Sequence, residues 1–388
     1  MTRSLAFFFF LIISYTLKAQ DSCDLHISLL TCSPGRELYS TFGHSALRVV
    51  DNRSKTDLIF NYGTFDFDDP HFYSKFIRGK LLYFVSIDSF NQFMQEYQYE
   101  QRGVIEQILN LSCTEKQGLL SALYENAKEE NKYYKYDFIL DNCTTRLRDM
   151  VFRYSNDSAH TKDILPYKGV TFRNLIHEYL LRNDSYWSKL GIDILLGLPL
   201  DKQLNNSEAM FLPDYLLKGF DSTSFSHGGL VSARKALLHP YPSYQNKPKQ
   251  FFTPLIVFGL LFMIVLALSL VRQTNVTRRT LFLFDISFFV ILGGLGILLL
   301  FMWFGTDHMA CRNNFNLFWA LPPHIVMAAF INKKANWVSN YFRFVLGLST
   351  ILILLWFFLP QQMDPSLLFI VGIIALRSYF ISKRTAID

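Results

Sequence analysis

The sequence predicts an exported α+β domain followed by an all-α membrane domain of about five helices. An apolar leader at the N-terminus, alternating strand and helix patterns after it, and long apolar runs from Phe251 onward carry this prediction. Of the 388 residues, 50% are hydrophobic, which is more apolar than a soluble enzyme of this length usually is. We expect a signal peptide at 1–19, an exported domain with a helical extension and linker at 20–250, and a membrane domain at 251–388.

The first segment has the three parts of a secretory signal peptide. Arg3 gives it a basic start, an apolar run extends from Leu5 to Ile13, and Ala19 is the small residue before the expected cleavage point. A membrane anchor is the alternative, but the apolar run is too short to span a bilayer comfortably.

The exported domain is predicted to mix strands and helices. Strands are expected at Leu25–Cys32, His44–Asp51, Asp57–Gly63, Leu81–Ile87 and Val104–Leu111. Helices are expected in PHFYSKFIRG, in SFNQFMQEYQYE from a cap at Ser89, in TEKQGLLSALYENAKEE with a capping box of Thr114 and Gln117, and from Cys143 to Phe152 after a cap at Asp141 or Asn142.

Five apolar segments are predicted to span the membrane. They lie at about 251–271, 281–304, 315–331, 341–359 and 367–382. The loops that this order places inside carry the basic residues Arg272, Arg278, Arg279, Lys333, Lys334, Lys383 and Arg384. This asymmetry agrees with the positive-inside rule and puts the first domain outside.

All five cysteines then face an oxidising compartment, where disulfides are favoured. They are Cys23, Cys32, Cys113, Cys143 and Cys311. An odd number leaves at least one thiol unpaired, and the pairing stays open. Their spacing matches no zinc motif, and no nucleic-acid-binding motif is present.

Cys143 is the candidate nucleophile, because a thiol at the start of a helix feels the positive end of the helix dipole. Backbone N–H groups there, such as that of Thr144 after Asn142, are candidate donors to an oxyanion. His44 opens a strand after a glycine and is the candidate base. Asn61 on the next strand is the candidate partner that orients the imidazole. The alternatives are a buried or disulfide-bonded cysteine and an asparagine that only forms a turn.

The loop after the second predicted span is a candidate substrate site. Asp307, His308 and Asn314 place polar groups at the membrane face, which suits either a headgroup site or an ordinary interfacial loop. Pro322 interrupts the third span and predicts either a broken helix beside a cavity or a kinked, shallow helix. The aromatic residues Tyr133, Tyr134, Tyr136, Tyr186 and Trp187 are expected in the core or at the membrane interface, with contact to acyl chains as the alternative.

Three motifs together resemble the Lnb-type lipoprotein N-acyltransferases of bacteria. They are SPGRELYSTFGHSALRV, FNYGTFDF and DNCTTRLRD, within about residues 21–180, and TDHMACRNNFNLFWALPP fits the membrane part of that family. A histidine on an early strand, a polar residue on the next and a much later cysteine is also the order of permuted papain-like folds. Lecithin:retinol acyltransferase is similar, and NlpC-type peptidases share the site in the opposite chain order.

The resemblance implies a thiol acyltransferase that uses no metal and no other cofactor. Cys143 would take an acyl chain from a phospholipid as a thioester, and the α-amine of a diacylglyceryl-cysteine at a lipoprotein N-terminus would then attack it, with His44 as base. The implied location is the bacterial inner membrane, with the catalytic domain on the periplasmic side. A cysteine peptidase or amidase acting on cell-wall peptides is one alternative, although a soluble substrate needs no membrane spans. A membrane scaffold without activity is the other.

Overall fold

The computed structural model describes residues 23–35, 37, 40–155, 158–226, 228–239 and 250–385. The predicted signal peptide at 1–19 and most of the predicted linker lie outside the described residues. The described chain forms a sheet-rich first part and a helical second part, so the α+β prediction is confirmed.

A seven-stranded antiparallel sheet organises the exported domain. Its strands are β1 (Leu25–Cys32), β2 (His44–Asp51), β3 (Thr56–Thr64), β4 (Leu82–Ser89), β5 (Val104–Leu109), β6 (Tyr133–Lys135) and β10 (Val231–Leu238). The order across the sheet is β10-β5-β1-β2-β3-β4-β6. A small second sheet contains β7 (His160–Thr161), β8 (Thr223–Phe225) and β9 (Gly228–Gly229). The five predicted strands are confirmed, with ends displaced by at most two residues.

Helices cover both faces of the large sheet. The described helices of this domain are α1 (Phe72–Ile77), α2 (Phe90–Tyr99), α3 (Cys113–Ala127), α4 (Cys143–Tyr154), α5 (Phe172–Arg182), α6 (Tyr186–Leu195), α7 (Asn206–Ala209) and α8 (Pro213–Ser222). Strand alternation divides the core, because Ile27 and Leu29 of β1 face the side that holds α3 and α4, whereas Leu30 and Cys32 face α2. The sheet thus fixes β2 and β3 directly beside α4.

Two helix caps decide local positions, and one differs from its prediction. Ser89 caps α2, as expected from its sequence. Helix α3 begins earlier than predicted: Ser112 and Glu115, rather than Thr114 and Gln117, form its capping box. The backbone at Ser112 is extended, so its hydroxyl accepts the Glu115 N–H, while the Glu115 carboxylate accepts the Ser112 N–H at 2.7 Å.

A disulfide joins Cys23, before β1, to Cys113 at the start of α3. The other three thiols, those of Cys32, Cys143 and Cys311, are free and buried. The candidate nucleophile is therefore not consumed by a disulfide, and the odd cysteine count resolves into one bridge.

The membrane part contains α9 (Pro254–Leu270), α10 (Asn275–Phe304), α11 (Pro323–Ala328), α12 (Asn336–Leu355) and α13 (Leu367–Thr385). Within the described residues, 275–304 and 336–358 are long and apolar enough to cross a membrane, and α9 is a shorter apolar helix. Helix α13 carries Arg377, which forms a buried ion pair with Asp285 of α10 at 2.7 Å.

The predicted third span is not a continuous helix. Residues 315–331 form a 3₁₀ turn at Phe315–Phe318 and the short helix α11. Pro322 and Pro323 lack the N–H groups that would continue the turn into one helix. The broken segment packs closely on α10, where a Cβ at Gly296 would lie 2.1 Å from the Ala320 carbonyl oxygen. The prediction of five spanning helices is therefore corrected at its third segment, which is broken into a turn and a short helix.

Buried charges tie helix α6 to the rest of the chain. The Asp193 carboxylate is fully buried and accepts from Arg173 at 2.8 Å, His177 at 2.7 Å and Lys189 at 2.9 Å. Lys189 also donates to Asp364, which precedes α13 in the membrane part, at 2.8 Å. Breaking such a cluster leaves buried charges uncompensated, so these contacts hold the two parts together.

Candidate active site

Asn142 positions Cys143 by capping helix α4. Its Oδ1 accepts the N–H groups of Thr144 and Thr145, each at 2.9 Å. Its Nδ2 donates to the carbonyl oxygens of Phe138 and Phe211, and the residue is only 2% exposed. Asn142 therefore acts as a cap, as its sequence position predicts, and it also lines the cavity beside Cys143.

The capping geometry also changes the expected oxyanion donor. The Thr144 N–H is already donated to Asn142, so it is not free to stabilise an oxyanion. The N–H of Cys143 belongs to the first helical residue, which has no acceptor within its own helix. The Thr144 hydroxyl lies 3.6 Å from the Cys143 Sγ and contacts the thiol directly.

His44 lies at the first position of β2, where the chain enters the sheet beside α4. The preceding Gly43 has φ 82°, and a Cβ there would lie 2.6 Å from the Cys32 carbonyl oxygen. Only glycine adopts this turn without strain, so Gly43 fixes the point at which His44 enters the strand. The imidazole and the Cys143 thiol line the same cavity and interact closely enough for each to shift the pKa of the other.

Asn61 on β3 holds the other side of the imidazole. Its Oδ1 lies 3.2 Å from the His44 Nε2, while its Nδ2 donates to the Asp88 carboxylate at 2.6 Å. Because Asp88 only accepts, it turns the Asn61 amide oxygen toward the imidazole. His44 then donates from Nε2, and its Nδ1 is left to take a proton from the thiol.

The pKa values of the pair move toward each other. Burial alone would raise the pKa of Cys143, but the charge of His44 and its hydrogen bond outweigh this and lower that pKa to about 7. Burial would lower the pKa of His44, yet the charge of Cys143 and its hydrogen bond raise it above its ordinary value. The pair therefore favours thiolate and imidazolium near neutral pH, which is the state of an activated cysteine nucleophile.

A cavity of about 1040 Å³ opens onto this pair, and Cys143, His44 and Asn61 all line it. Aromatic side chains make much of its wall: Phe42, Phe65, Phe67, Phe72, Tyr73, Phe76, Tyr83, Phe84, Tyr136 and Phe138. Tyr136 lies on the cavity and also packs against the buried core, where it was expected. A large, mainly apolar cavity with a few polar groups is typical of a site for a small, lipophilic ligand.

The predicted residues of the membrane loop divide into three cases. His308 lines the cavity, and its Nε2 lies 3.1 Å from the carbonyl oxygens of Phe76 and Ile77. Asp307 forms an ion pair with Lys135 at 2.8 Å. Asn314 lies away from the cavity, with its Nδ2 donating to the carbonyl oxygens of Ile194 and Leu195 at 2.7 and 3.1 Å.

These contacts separate the three loop residues by what each one touches. Asn314 is 2% exposed and belongs to the interface between the two parts of the chain. The last carbonyl oxygens of α6 have no partner within the helix, and the Asn314 side chain donates to them. Asp307 connects the loop to β6, and only His308 of the three reaches the cavity.

Asp88 is the member of the polar chain that the sequence did not reveal. Asp88 precedes Ser89 at the end of β4. Asn61 of β3 pairs with Ser86 of β4, which lies two residues before Asp88. The Ser86 hydroxyl donates to the same Asp88 oxygen at 3.1 Å. Alternation along β4 puts residues 86 and 88 on one face, and this was the available signal.

Two family models match the chain. The model described as the Lnb N-terminal periplasmic domain matches residues 14–178, and the model described as the Lnb transmembrane domain matches residues 246–386. The first match contains His44, Asn61, Asp88 and Cys143. Neither the curated proteins nor the solved structures include a significant match to this chain.

Proposed function

The chain belongs to the Lnb family, and from that premise we propose that it is a phospholipid-dependent lipoprotein N-acyltransferase with Cys143 as nucleophile. It is a membrane protein with a periplasmic domain. The observation that carries the proposal is the hydrogen-bonded series from Asp88 through Asn61 to His44, with the His44 imidazole beside Cys143 at the wall of an aromatic cavity. The proposed location is the bacterial inner membrane.

The first half of the proposed reaction forms a thioester. The Cys143 Sγ, having given its proton to the His44 Nδ1, attacks the carbonyl carbon of a phospholipid ester. The resulting oxyanion accepts a hydrogen bond from the Cys143 N–H. When the carbon–oxygen bond breaks, the lysophospholipid oxygen takes the proton from His44, and the acyl chain stays on sulfur.

The second half transfers the chain to an amine. The unprotonated α-amine of the diacylglyceryl-cysteine attacks the thioester carbonyl, and His44 accepts the proton that the amine loses. The carbon–sulfur bond then breaks, and the sulfur leaves as a thiolate paired with the imidazolium. The products are an amide and the original enzyme, so the cycle needs neither an oxidant nor a nucleotide.

The arrangement of these residues supports a permuted papain-like fold as part of the proposal. The base lies on β2, its amide partner on the adjacent strand β3, and the nucleophile at the start of α4 packed against both. A cysteine peptidase would use the same groups. The aromatic cavity favours the acyltransferase, because an acyl chain gains free energy from an apolar wall, whereas a polar cell-wall peptide does not.

Mass spectrometry of a lipoprotein N-terminus tests the proposal. Full-length protein, reconstituted in vesicles with a diacylated lipoprotein and labelled phospholipid, is expected to give an N-acylated product that carries the label. Cys143→Ser is expected to abolish this product while membrane insertion stays normal. Labelled product from the serine variant at the wild-type rate would contradict the assignment, and release of peptide without acyl transfer would favour the peptidase.

A further inference from the structure

Helix α1 and the turn before it present an unusually exposed apolar surface. Phe67 is 64% exposed, Tyr73 76%, Phe76 50% and Ile77 48%. We call these four residues the aromatic rim. A contiguous group of exposed aromatic side chains on a small domain marks an interaction site more often than an ordinary surface.

The aromatic rim is continuous with the cavity wall. Phe67, Tyr73 and Phe76 are exposed to solvent and also line the cavity. Further inward, the ring centroid of Phe76 lies 6.2 Å from that of Phe72. The Phe72 centroid lies 5.9 Å from that of Phe65.

The row of rings continues to the nucleophile. Phe65 lies 5.4 Å from Tyr83, and Tyr83 stacks on Tyr136 at 4.4 Å. Gly63 separates Tyr136 from Cys143, since a Cβ built on that glycine would lie 3.5 Å from the Tyr136 ring and 3.6 Å from the Cys143 Cβ. An apolar path therefore runs from the exposed rim to the sulfur.

The membrane part holds the aromatic rim in place. His308 reaches the carbonyl oxygens of Phe76 and Ile77, and the Asp307 N–H donates to the Arg78 carbonyl oxygen at 2.9 Å. This loop directly follows α10, whose last residue, Phe304, is 73% exposed. The rim is thus bonded to the outer end of a membrane-spanning helix, at the level where aromatic side chains contact lipid.

From these contacts we propose that the aromatic rim is a lateral entry port, through which a phospholipid of the periplasmic leaflet inserts an acyl chain into the cavity. This inference rests on the proposed function and adds the route of the donor. The chain lies along the rings from Phe76 to Tyr136, and its ester carbonyl reaches Cys143. The exposed rings themselves contact the leaflet, which offsets the cost of leaving them in water.

The test compares two acyl donors for the same thiol. Full-length wild type, the double variant Tyr73→Ser/Phe76→Ser and the control Tyr99→Ser are reconstituted in vesicles of phosphatidylethanolamine and phosphatidylglycerol with labelled acyl chains. Tyr99 is 90% exposed but lies at the end of α2 and does not line the cavity. Thioester formation at Cys143 is measured from the vesicle lipid and, separately, from a water-soluble acetyl thioester that is too short to use the port.

We expect the double variant to react with vesicle lipid at least ~10-fold more slowly, because two aromatic rings that would contact the entering lipid are lost. Its rate with the acetyl donor and both rates of Tyr99→Ser should stay within about twofold of wild type. A wild-type rate with vesicle lipid, or an equal loss with both donors, would overturn the port. Wild type that reacts with the acetyl donor but not with phospholipid would instead refute the proposed function.

Photo-crosslinking gives a second measurement that does not depend on how the serine variant folds. Benzoylphenylalanine at position 76 is expected to crosslink to labelled phospholipid in the vesicles, whereas the same group at position 99 is not. Equal lipid labelling at both positions, or none at position 76, would count against the port.

Discussion

Replacing His44 by alanine removes the positive partner that activates Cys143. In the wild-type site, the charge of His44 and its hydrogen bond hold the pKa of the thiol at about 7 against the opposing effect of burial. In His44→Ala the burial remains and its partner is gone, so the pKa rises to the ordinary value of 9.0 or above. Thiolate is then lost across the range in which the wild type is already ionised.

The size of the effect follows from the two pKa values. At pH 7 about half of the wild-type thiol is ionised, against about 1% at a pKa of 9.0, which is a loss of roughly 50-fold. A thiolate of higher pKa is intrinsically more nucleophilic, by about six- to tenfold over two pKa units. Simple alkylation at pH 7 should therefore slow by roughly five- to tenfold, whereas acyl transfer should fall on the order of 10²–10⁴-fold because the base is also lost.

Iodoacetamide labelling across a pH series measures this directly. Peptide mass spectrometry separates Cys143 from the free thiols of Cys32 and Cys311, which are buried. The half-maximal rate is expected near pH 7 in wild type and at least about two pH units higher in His44→Ala. His26→Ala, which changes an exposed histidine on β1, is the matched control and should leave the profile unchanged.

An alkylation profile that is the same in His44→Ala and in wild type would refute the reasoning. It would mean that the helix start and the Thr144 hydroxyl suffice to ionise the thiol. A profile that shifts equally in His26→Ala would show that the change is global and does not report on the pair.

Three further results are expected. Asn61→Ala and Asp88→Ala should each slow acyl transfer roughly tenfold, and the double variant should lose little more, because both act through one imidazole; fully additive losses would separate their roles. Cys23→Ser with Cys113→Ser should lower the free energy of unfolding of the exported domain by ~2–5 kcal/mol in denaturant titration, since the bridge closes a long loop; an unchanged midpoint would contradict this. Asp193→Ala should destabilise the detergent-solubilised protein by ~3–5 kcal/mol, because buried cations lose their shared carboxylate; thermal denaturation equal to wild type would show that the cluster contributes nothing.

The strands and the helix that carries the cysteine were predictable because their signals are local. β1 and β2 are each a run of eight mostly apolar residues, and the start of α4 depends on one capping asparagine. The order of His44 and Cys143 along the chain indicated a pair, but only the antiparallel register of β2 and β3 brings Asn61 to the imidazole.

The parts that sequence reasoning missed depend on contacts between distant segments. Asp88 is an ordinary strand-end carboxylate until β4 pairs with β3 and turns it toward Asn61. The segment around Asn314 has the composition of an interfacial loop. The Asn314 side chain nevertheless donates to the end of a helix that lies more than a hundred residues earlier in the chain. The break at Pro322 was visible, but its packing against α10 depends on Gly296, whose effect is steric and not apparent from hydropathy.

Under the proposed function, the ionic bridge from Lys189 to Asp364 has a consequence for which amines can react. Together with the Asn314 bonds to α6, it fixes the domain that carries Cys143 to the membrane part, so the sulfur stays at one height relative to the membrane helices. Under the proposed function, an amine must be presented at that height to react. We therefore expect selection by distance from the bilayer. An N-terminus that its own lipid anchors at the membrane surface is acylated, whereas a freely diffusing peptide of the same sequence is not.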